Sequence, residues 1–136
     1  MMTELDDVPV PKGQLTLKLA ATRQQTNAHG DIPAGWLVSL MDQAAEWTAS
    51  REAMGRTATV AIEGMDFLCP VRVGSLVCVY TEVRDIGHSS IKIDVEVWVR
   101  PLQDAEDVDL HKVTEARHVM VALDDNGRIR GVRSDT

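Results

Sequence analysis

The sequence has no long apolar run and few cysteines, and these two absences narrow its class. None of its segments approaches the roughly 20 consecutive apolar residues that a membrane-spanning helix requires, and residues 1–11 are acidic where a signal peptide would be basic and then apolar. The two cysteines, Cys69 and Cys78, lack the spacing of a metal knuckle, so we expect reduced thiols. The sequence therefore predicts a cytoplasmic protein that makes no contact with a membrane.

Basic residues are too few for a protein whose main task is to bind nucleic acid. Lys and Arg number 14 against 21 Asp and Glu, which gives a net charge of −7, whereas binding to a phosphate backbone needs a basic surface. Seven acids in two segments carry the excess: Glu4, Asp6, Asp7, Asp104, Glu106, Asp107 and Asp109. The remaining 14 acids equal the 14 bases in number, so we expect two solvated acidic segments on a neutral body.

Common catalytic signatures are missing as well. The chain contains no Gly-x-Ser-x-Gly, no Gly-rich phosphate-binding loop and no His-Glu-x-x-His, which argues against the usual serine hydrolases and nucleotide hydrolases. The four histidines show no spacing typical of metal ligands: His29, His88, His111 and His118. We therefore predict no metal site, and expect histidines that lie on the surface or bond to their neighbours.

One long helical pattern followed by strand patterns is present. With 136 residues, 44% of them hydrophobic, the chain has the size and composition of a single globular domain. Apolar residues at three- and four-residue steps predict a helix from Ala34 to about Met54, ended by Gly55 as the residue with positive φ. Period-two alternation predicts strands over residues 14–22, 57–68, 75–83, 91–99 and 112–123. Because connections this short require antiparallel neighbours, we predict an α+β domain, one long helix wrapped by a curved antiparallel sheet of five or six strands.

Asp42, inside the predicted helix, has two interpretations. A carboxylate there costs desolvation free energy unless it is paired or faces a cleft, and in a cleft it can serve as a general base. Alternatively, Asp42 belongs to a solvated stripe with Val38 and Glu46, which lie on the same helix face. At the helix N-terminus, where we expect Asp31 at or next to the cap, free N–H groups favour negative charge. Gly35 is there either a donor to an oxyanion or a small residue for close packing.

Four segments, in order and with nearly no gaps, resemble one family. They are residues 26–42, beginning Thr-Asn-Ala-His-Gly-Asp-Ile-Pro-Ala-Gly-Trp, and residues 60–74, 87–99 and 121–128. In these segments the chain is similar to the bacterial hotdog-fold acyl-CoA thioesterases of the YciA type, and the resemblance covers about residues 14–130. The fold of that family agrees with the architecture predicted from periodicity.

This resemblance implies hydrolysis of acyl-CoA to a fatty acid and CoA without a cofactor. In the family, the residue matching Asp42 is general base or nucleophile, and the amide matching Gly35 polarises the thioester carbonyl. The position matching Asp31 helps to place the carbonyl or the water, and Asn27 is a weaker candidate for the same role. Family sites form across a dimer whose two long helices lie side by side, and the dimers often assemble into hexamers, which for this chain implies a homo-oligomer such as a trimer of dimers.

The resemblance also implies which residues hold CoA. The candidates for its phosphates and adenosine are Gly87, His88, Ser89, Ser90, Arg72 and Lys92. His88 stands where relatives commonly have arginine, and Pro33-Ala34 replaces a Phe-Gly pair at the acyl-chain entrance. We expect a basic entrance, to which Arg128 and Arg130 also contribute, away from the acidic segment at 103–109.

Three further expectations concern the tryptophans, the domain limits and the alternative functions. Trp36 is a candidate for the acyl tunnel, and we expect Trp47 in the core or in a dimer interface. The expected division is an acidic flexible leader (1–13), the thioesterase domain (14–130) and a C-terminal tail (131–136). The alternative function is a non-catalytic acyl-CoA-binding regulator, whereas dehydration of hydroxyacyl-CoA is disfavoured because no His-acid motif of that branch is visible.

Overall fold

Five strands and one long helix form the regular structure of the part of the chain that is described. The computed structural model describes residues 9–101 and 110–133. Its strands are β1 (Gln14–Ala20), β2 (Thr57–Phe67), β3 (Leu76–Ile86), β4 (Ser90–Arg100) and β5 (His111–Ala122). Helix α1 (Ala34–Ala53) lies between β1 and β2 along the chain, after a 3-10 turn at Arg23–Gln25. The predicted α+β order is confirmed.

The strands form one antiparallel sheet, and α1 packs against one of its faces. The spatial order is β1-β3-β4-β5-β2, with every pairing antiparallel, so β1 and β2 are the edge strands. The helix contacts all five strands, and its buried residues are mostly small or aliphatic, from Leu37 to Ala53. Within the described ranges, no helix has both the length and the apolar character that crossing a membrane would require.

The alternation of β4 places its odd-numbered residues in the core, as predicted. Ile91, Ile93, Val95 and Val97 are fully buried between the sheet and α1. The opposite face of the strand is only partly solvated, because Glu96 is also buried and accepts hydrogen bonds from Trp98 Nε1 at 2.8 Å and from the backbone N–H of Lys12 at 3.2 Å. These bonds satisfy a carboxylate whose burial would otherwise be costly.

The packed part of the chain extends past residue 130. Val132 is 3% exposed in the core, and its N–H donates to the carbonyl of His88 at 2.8 Å. The predicted tail at 131–136 therefore begins inside the packed domain. Most of the predicted leader (residues 1–8), the acidic segment (102–109) and the last three residues (134–136) lie outside the described residues.

Helix α1 ends in a way that differs from the prediction. Met54, not Gly55, has the left-handed conformation, with φ 54° and ψ 46°. Glycine is favoured at position 55 for a different reason, because a Cβ there would lie 2.7 Å from Nη2 of Arg130. The glycine therefore makes room for a guanidinium group, while the methionine, 90% exposed, takes the conformation that a glycine usually has.

Candidate active site

Asp42 projects from α1 toward the sheet, and a strand residue orients it. Its Oδ1 accepts a hydrogen bond from Thr59 Oγ1 on β2 at 2.5 Å, while 41% of the side chain remains exposed. Glu46, one turn later, is exposed. Of the two interpretations left open by the sequence, this geometry favours a carboxylate held at a cleft, because a solvated stripe residue would not bond to the sheet.

Thr59 is a site residue that the sequence analysis missed. The residues of β2 that face the helix include two hydroxyl side chains, and each bonds to a polar residue of α1: Thr59 to Asp42, and Thr57 to Ser50 at 3.0 Å. In the sequence, both threonines look like ordinary β-branched strand residues. The signal that could have found them is polarity on the core-facing side of a strand, which becomes visible only when register is known.

His118 contradicts the expectation that the histidines lie on the surface or bond to neighbours. It is fully buried on β5, and neither ring nitrogen has a hydrogen-bond partner among the described residues. Its Nε2 lies 4.0 Å from Oδ1 of Asp42. Burial lowers the pKa of the imidazole, an effect that the nearby Asp42 carboxylate partly offsets.

The N-terminus of α1 is left open. Pro33 is the N-cap residue, with φ −72° and ψ 146°, and no side chain of a described residue caps the helix. Asp31 does not cap it, contrary to the prediction, because the helix begins two residues later, with Pro33 at the cap position. Asp31 is exposed, and its backbone N–H donates to Asn27 Oδ1 at 3.1 Å. Gly35 is exposed in the first turn, and a Cβ there would meet no atom within 4 Å. Close packing therefore does not explain this glycine.

Asn27 shapes the loop that leads to this open end. Its Oδ1 accepts from the backbone N–H groups of His29 and Asp31, at 2.9 and 3.1 Å, and its own N–H donates to the carbonyl of Asp31 at 2.8 Å. The oxygen of its side chain is thus committed to the loop. The amide NH2 is the remaining group of Asn27 that could face a substrate.

Gly35 and Asp42 do not converge within one protomer. Seven residues separate them on the same helix, and a rise of 1.5 Å per residue places them about 10 Å apart along the axis. One reacting carbonyl cannot lie about 3 Å from both groups at that separation. A site that uses both residues therefore needs a second copy of the chain.

An apolar cavity of about 310 Å³ lies beside the helix N-terminus. Ile32, Ala34 and Leu37 line it from the helix side, and residues 67–71 line it from the end of β2 and the segment that follows. Its thiol, Cys69, is half-buried, and burial raises the pKa of that group. Ala34, which the resemblance placed at the acyl-chain entrance, is part of this wall.

The tryptophans lie in three different environments. Trp36 is half-buried and packs against the core, Trp98 is 2% exposed on the outer face of the sheet, and Trp47 is 61% exposed on the helix. The core alternative for Trp47 is therefore excluded within a protomer, and the interface alternative stays a prediction.

The predicted CoA-binding residues divide between the two ends of the molecule. Gly87, His88, Ser89 and Ser90 form the β3–β4 hairpin, in which the N–H of Gly87 donates to the carbonyl of Ser90 at 2.8 Å. Lys92 follows on the outer face of β4. Arg72, by contrast, precedes β3, whose 11 residues span roughly 35 Å. The candidates therefore do not form one cluster within a single protomer, because the whole of β3 separates Arg72 from the hairpin.

Arg130 does not contribute to a basic entrance as predicted. Its Nη2 donates to the carbonyl of Ala53 at 2.8 Å, its Nε to that of Leu123 at 3.0 Å, and its Nη1 to those of Gly131 and Val132 at 2.9 and 3.3 Å. The guanidinium therefore caps the C-terminus of α1. Arg128 is exposed nearby and stays a prediction for the entrance.

Comparisons with known proteins agree with the fold. Residues 29–105 match the family model described as the Thioesterase superfamily. The acyl-CoA thioester hydrolase YciA of Salmonella typhimurium is 43% identical over 129 residues, which cover 95% of this chain and 96% of that protein.

Solved structures are similar over nearly the whole chain. A hexameric thioesterase from Yersinia pestis has a TM-score of 0.82 and 44% identity, with 90% of this chain and 97% of that one covered. A hexameric hotdog-fold thioesterase of Campylobacter jejuni has a TM-score of 0.81 and 28% identity, with 88% and 90% covered. The hotdog architecture implied by the sequence resemblance is confirmed, and the chain belongs to the thioesterase superfamily.

Proposed function

We propose that this chain is an acyl-CoA thioesterase, which hydrolyses the thioester of acyl-CoA to a free fatty acid and CoA. The observation that carries the proposal is the Asp42 carboxylate, fixed by Thr59 yet open to solvent, on a helix whose uncapped N-terminus presents the amide of Gly35. A carboxylate and an anion-binding amide are the two groups that ester hydrolysis requires. The relative from Salmonella typhimurium, 43% identical, is named for the same reaction.

Asp42 acts on the nucleophile and Gly35 on the carbonyl. As general base, the carboxylate takes a proton from water while the oxygen of that water attacks the thioester carbon. The N–H of Gly35 stabilises the oxyanion of the tetrahedral intermediate, and the partial positive charge of the helix N-terminus adds to this effect. The intermediate then expels the CoA thiolate, which takes the proton from Asp42. As nucleophile, Asp42 would instead attack the carbon itself and expel the CoA thiolate by breaking the C–S bond. Water then opens the resulting anhydride to the fatty acid and the free Asp42 carboxylate, and the proton released goes to the thiolate.

Two copies of the chain pair along β2 to complete the site. This edge strand is paired only with β5 on one side in the described structure, and it exposes Val60 and Ile62, 57% and 41% accessible. An unpaired strand edge with apolar side chains is a surface for a second strand. A two-fold axis makes the two β2 strands, and hence the two helices, antiparallel. Asp42 of one protomer then faces the Gly35 end of its partner.

The same antiparallel pairing of two protomers places the CoA-binding candidates close together. Because the ends of the two protomers are exchanged, Arg72 of one copy lies at the end where the other copy has its Gly87–Ser90 hairpin and Lys92. The phosphates bind there, and the acyl chain enters the apolar cavity beside Ala34. The imidazole of His88 lacks the bidentate donor fork of the arginine that relatives commonly have, so binding relies more on Arg72 and Lys92.

We further propose a trimer of these dimers, by analogy with the hexameric relatives from Yersinia pestis and Campylobacter jejuni. Hydrolysis needs no cofactor in this scheme. Among the residues described, no three His, Cys, Asp or Glu side chains form a group that could hold a metal ion. The cytoplasmic location expected from the sequence stays a prediction.

The test is release of CoA from acyl-CoA substrates of graded chain length, measured with a thiol reagent. The wild type should release CoA, and Asp42→Asn should lower kcat by about 10³-fold, the magnitude expected for a lost general base. Glu46→Gln is the matched control, an exposed carboxylate on the same helix, and should keep wild-type turnover. Size-exclusion chromatography should show the same oligomer for all three proteins.

Two outcomes would contradict the proposal. Undiminished hydrolysis by Asp42→Asn would remove Asp42 from the reaction. Tight binding of acyl-CoA by the wild type, with no thiol released from any substrate, would support the non-catalytic regulator instead. If hydrolysis is observed, ¹⁸O found in the Asp42 carboxylate after a single turnover in labelled water identifies the nucleophilic role, because the label enters Asp42 when water opens the anhydride at the Asp42 carbonyl.

A further inference from the structure

His118 is a buried polar side chain that the proposed chemistry does not use. It is 0% exposed, and the described residues offer no hydrogen-bond partner to Nδ1 or Nε2. A buried N–H without a partner costs free energy, so a histidine at this position needs a reason that an aliphatic residue would not.

The Asp42 carboxylate lies close to the His118 ring, whose neighbours on the sheet are apolar. Across the sheet, His118 is opposite Ile62 on β2 and Ile93 on β4, and its neighbours on the same face of β5 are Ala116 and Met120. From α1, the charged group that faces it is the Asp42 carboxylate, with Oδ1 at 4.0 Å from Nε2. Because burial lowers the pKa of His118, the ring is neutral near pH 7 and has one N–H to donate.

We propose that His118 is a positioning residue for Asp42, donating Nε2–H to the carboxylate in addition to the bond from Thr59. The inference rests on the proposed function, in which Asp42 is the reacting carboxylate. A movement of about 1 Å closes the gap from 4.0 Å to hydrogen-bond distance, and the Asp42 side chain, 41% exposed, has room for it. The ring itself is fully buried and does not touch the substrate.

A second hydrogen-bond donor would have two effects on a catalytic carboxylate. Thr59 fixes one direction at Oδ1, and a second donor restricts the remaining rotation of the group, so that its free lone pairs point at the cleft. Hydrogen bonds to the charged form also favour ionisation, which a general base or nucleophile requires. Loss of His118 should therefore change kcat and its dependence on pH, with little effect on KM.

The kinetic test compares His118→Phe with His118→Gln. Phenylalanine fills the apolar site but donates nothing, whereas the glutamine amide can replace the Nε2–H donor. His118→Phe should lower kcat about tenfold and move the acid limb of the kcat/KM profile upward by about one pH unit, as for a lost hydrogen bond to a charged group. His118→Gln should recover most of both. Wild-type kcat and pH profile in His118→Phe, at an equal unfolding midpoint, would overturn the proposal.

A second measurement does not depend on activity. Imidazole ¹⁵N NMR of the wild type should show that the ring of His118 is neutral, with Nε2 protonated, between pH 6 and 8. Asp42→Asn should shift the resonance of that nitrogen. An Nδ1–H tautomer, or a resonance indifferent to Asp42→Asn, would refute the pairing. If the wild type hydrolyses no acyl-CoA, the proposed function fails, and the NMR result alone then decides whether His118 holds Asp42.

Discussion

The two ends of helix α1 differ in how their free backbone groups are satisfied. At the C-terminus, the guanidinium of Arg130 donates to the carbonyl of Ala53 and to three more carbonyls of the C-terminal segment. At the N-terminus, no side chain of a described residue accepts from the first-turn N–H groups, and Gly35 is exposed. We call the C-terminus of α1 the closed end, because a side chain donates to its carbonyl, and the N-terminus the open end.

The difference follows from the charges at the helix ends. A cation next to the C-terminal carbonyls neutralises the partial negative charge there and stabilises the fold. The partial positive charge at the N-terminus has no such partner within residues 9–101 and 110–133, so it is available to an anion that appears during a reaction. We infer that the C-terminal end of α1 serves stability and the N-terminal end serves catalysis. Substitutions at each end can separate these two roles.

Of the substitutions at the two ends of α1, those at the open end have the largest expected effect. Gly35→Pro removes the amide hydrogen that we assign to the oxyanion, and proline is tolerated in the first helical turn. It should lower kcat by about 10²-fold, as for other lost oxyanion donors. Gly35→Ala is the control: it keeps the N–H, and its Cβ meets no atom within 4 Å. Equal activities of the two variants would show that the amide plays no part.

At the closed end, the expected effect is on stability alone. Arg130→Ala removes hydrogen bonds from a charged donor to the helix terminus and should lower the free energy of unfolding by about 2 kcal/mol. Urea denaturation measures this, with the exposed Arg128→Ala as control. The kcat of the folded Arg130→Ala protein should equal that of the wild type. A large loss of kcat without a loss of stability would contradict the division between the ends.

The smallest expected effect concerns the left-handed residue that follows α1. Met54→Gly should raise the free energy of unfolding by up to about 1 kcal/mol, because glycine adopts φ 54° without strain. Gly55→Ala should do the opposite, since its Cβ would lie 2.7 Å from Arg130 Nη2. Thermal denaturation of the pair shows whether the two neighbouring positions have the distinct roles assigned here.

The prediction for Gly55 shows where sequence reasoning reaches its limit. Local patterns fixed the elements well: β4 was predicted from alternation alone, and α1 begins at Ala34 as expected. Gly55 was assigned the left-handed conformation from general preference. In the structure Met54 has that conformation, and Arg130, 75 positions away in the chain, occupies the space that a side chain at Gly55 would need. No local pattern contains that contact.

The site residues also fall into two groups, those that the sequence could predict and those that it could not. Asp42 and Gly35 could be named from their positions in a helix and from the family resemblance. Thr59 and His118 could not, because their relation to Asp42 depends on the register of β2 and β5 and on how α1 packs across them. Arg72 was grouped with the hairpin residues through the family resemblance, which does not show that the two lie at opposite ends of β3 within one protomer.

The most direct test of the account is complementation between two inactive variants. If each site takes Asp42 from one protomer and Gly35 from its partner, a dimer of Asp42→Asn with Gly35→Pro has one intact site. Refolding the two variants together in equal amounts should then restore about one quarter of the wild-type activity, since half of the dimers are mixed. Each variant refolded alone should stay at its own low level. Activity no higher than the mean of the two variants would contradict a shared site.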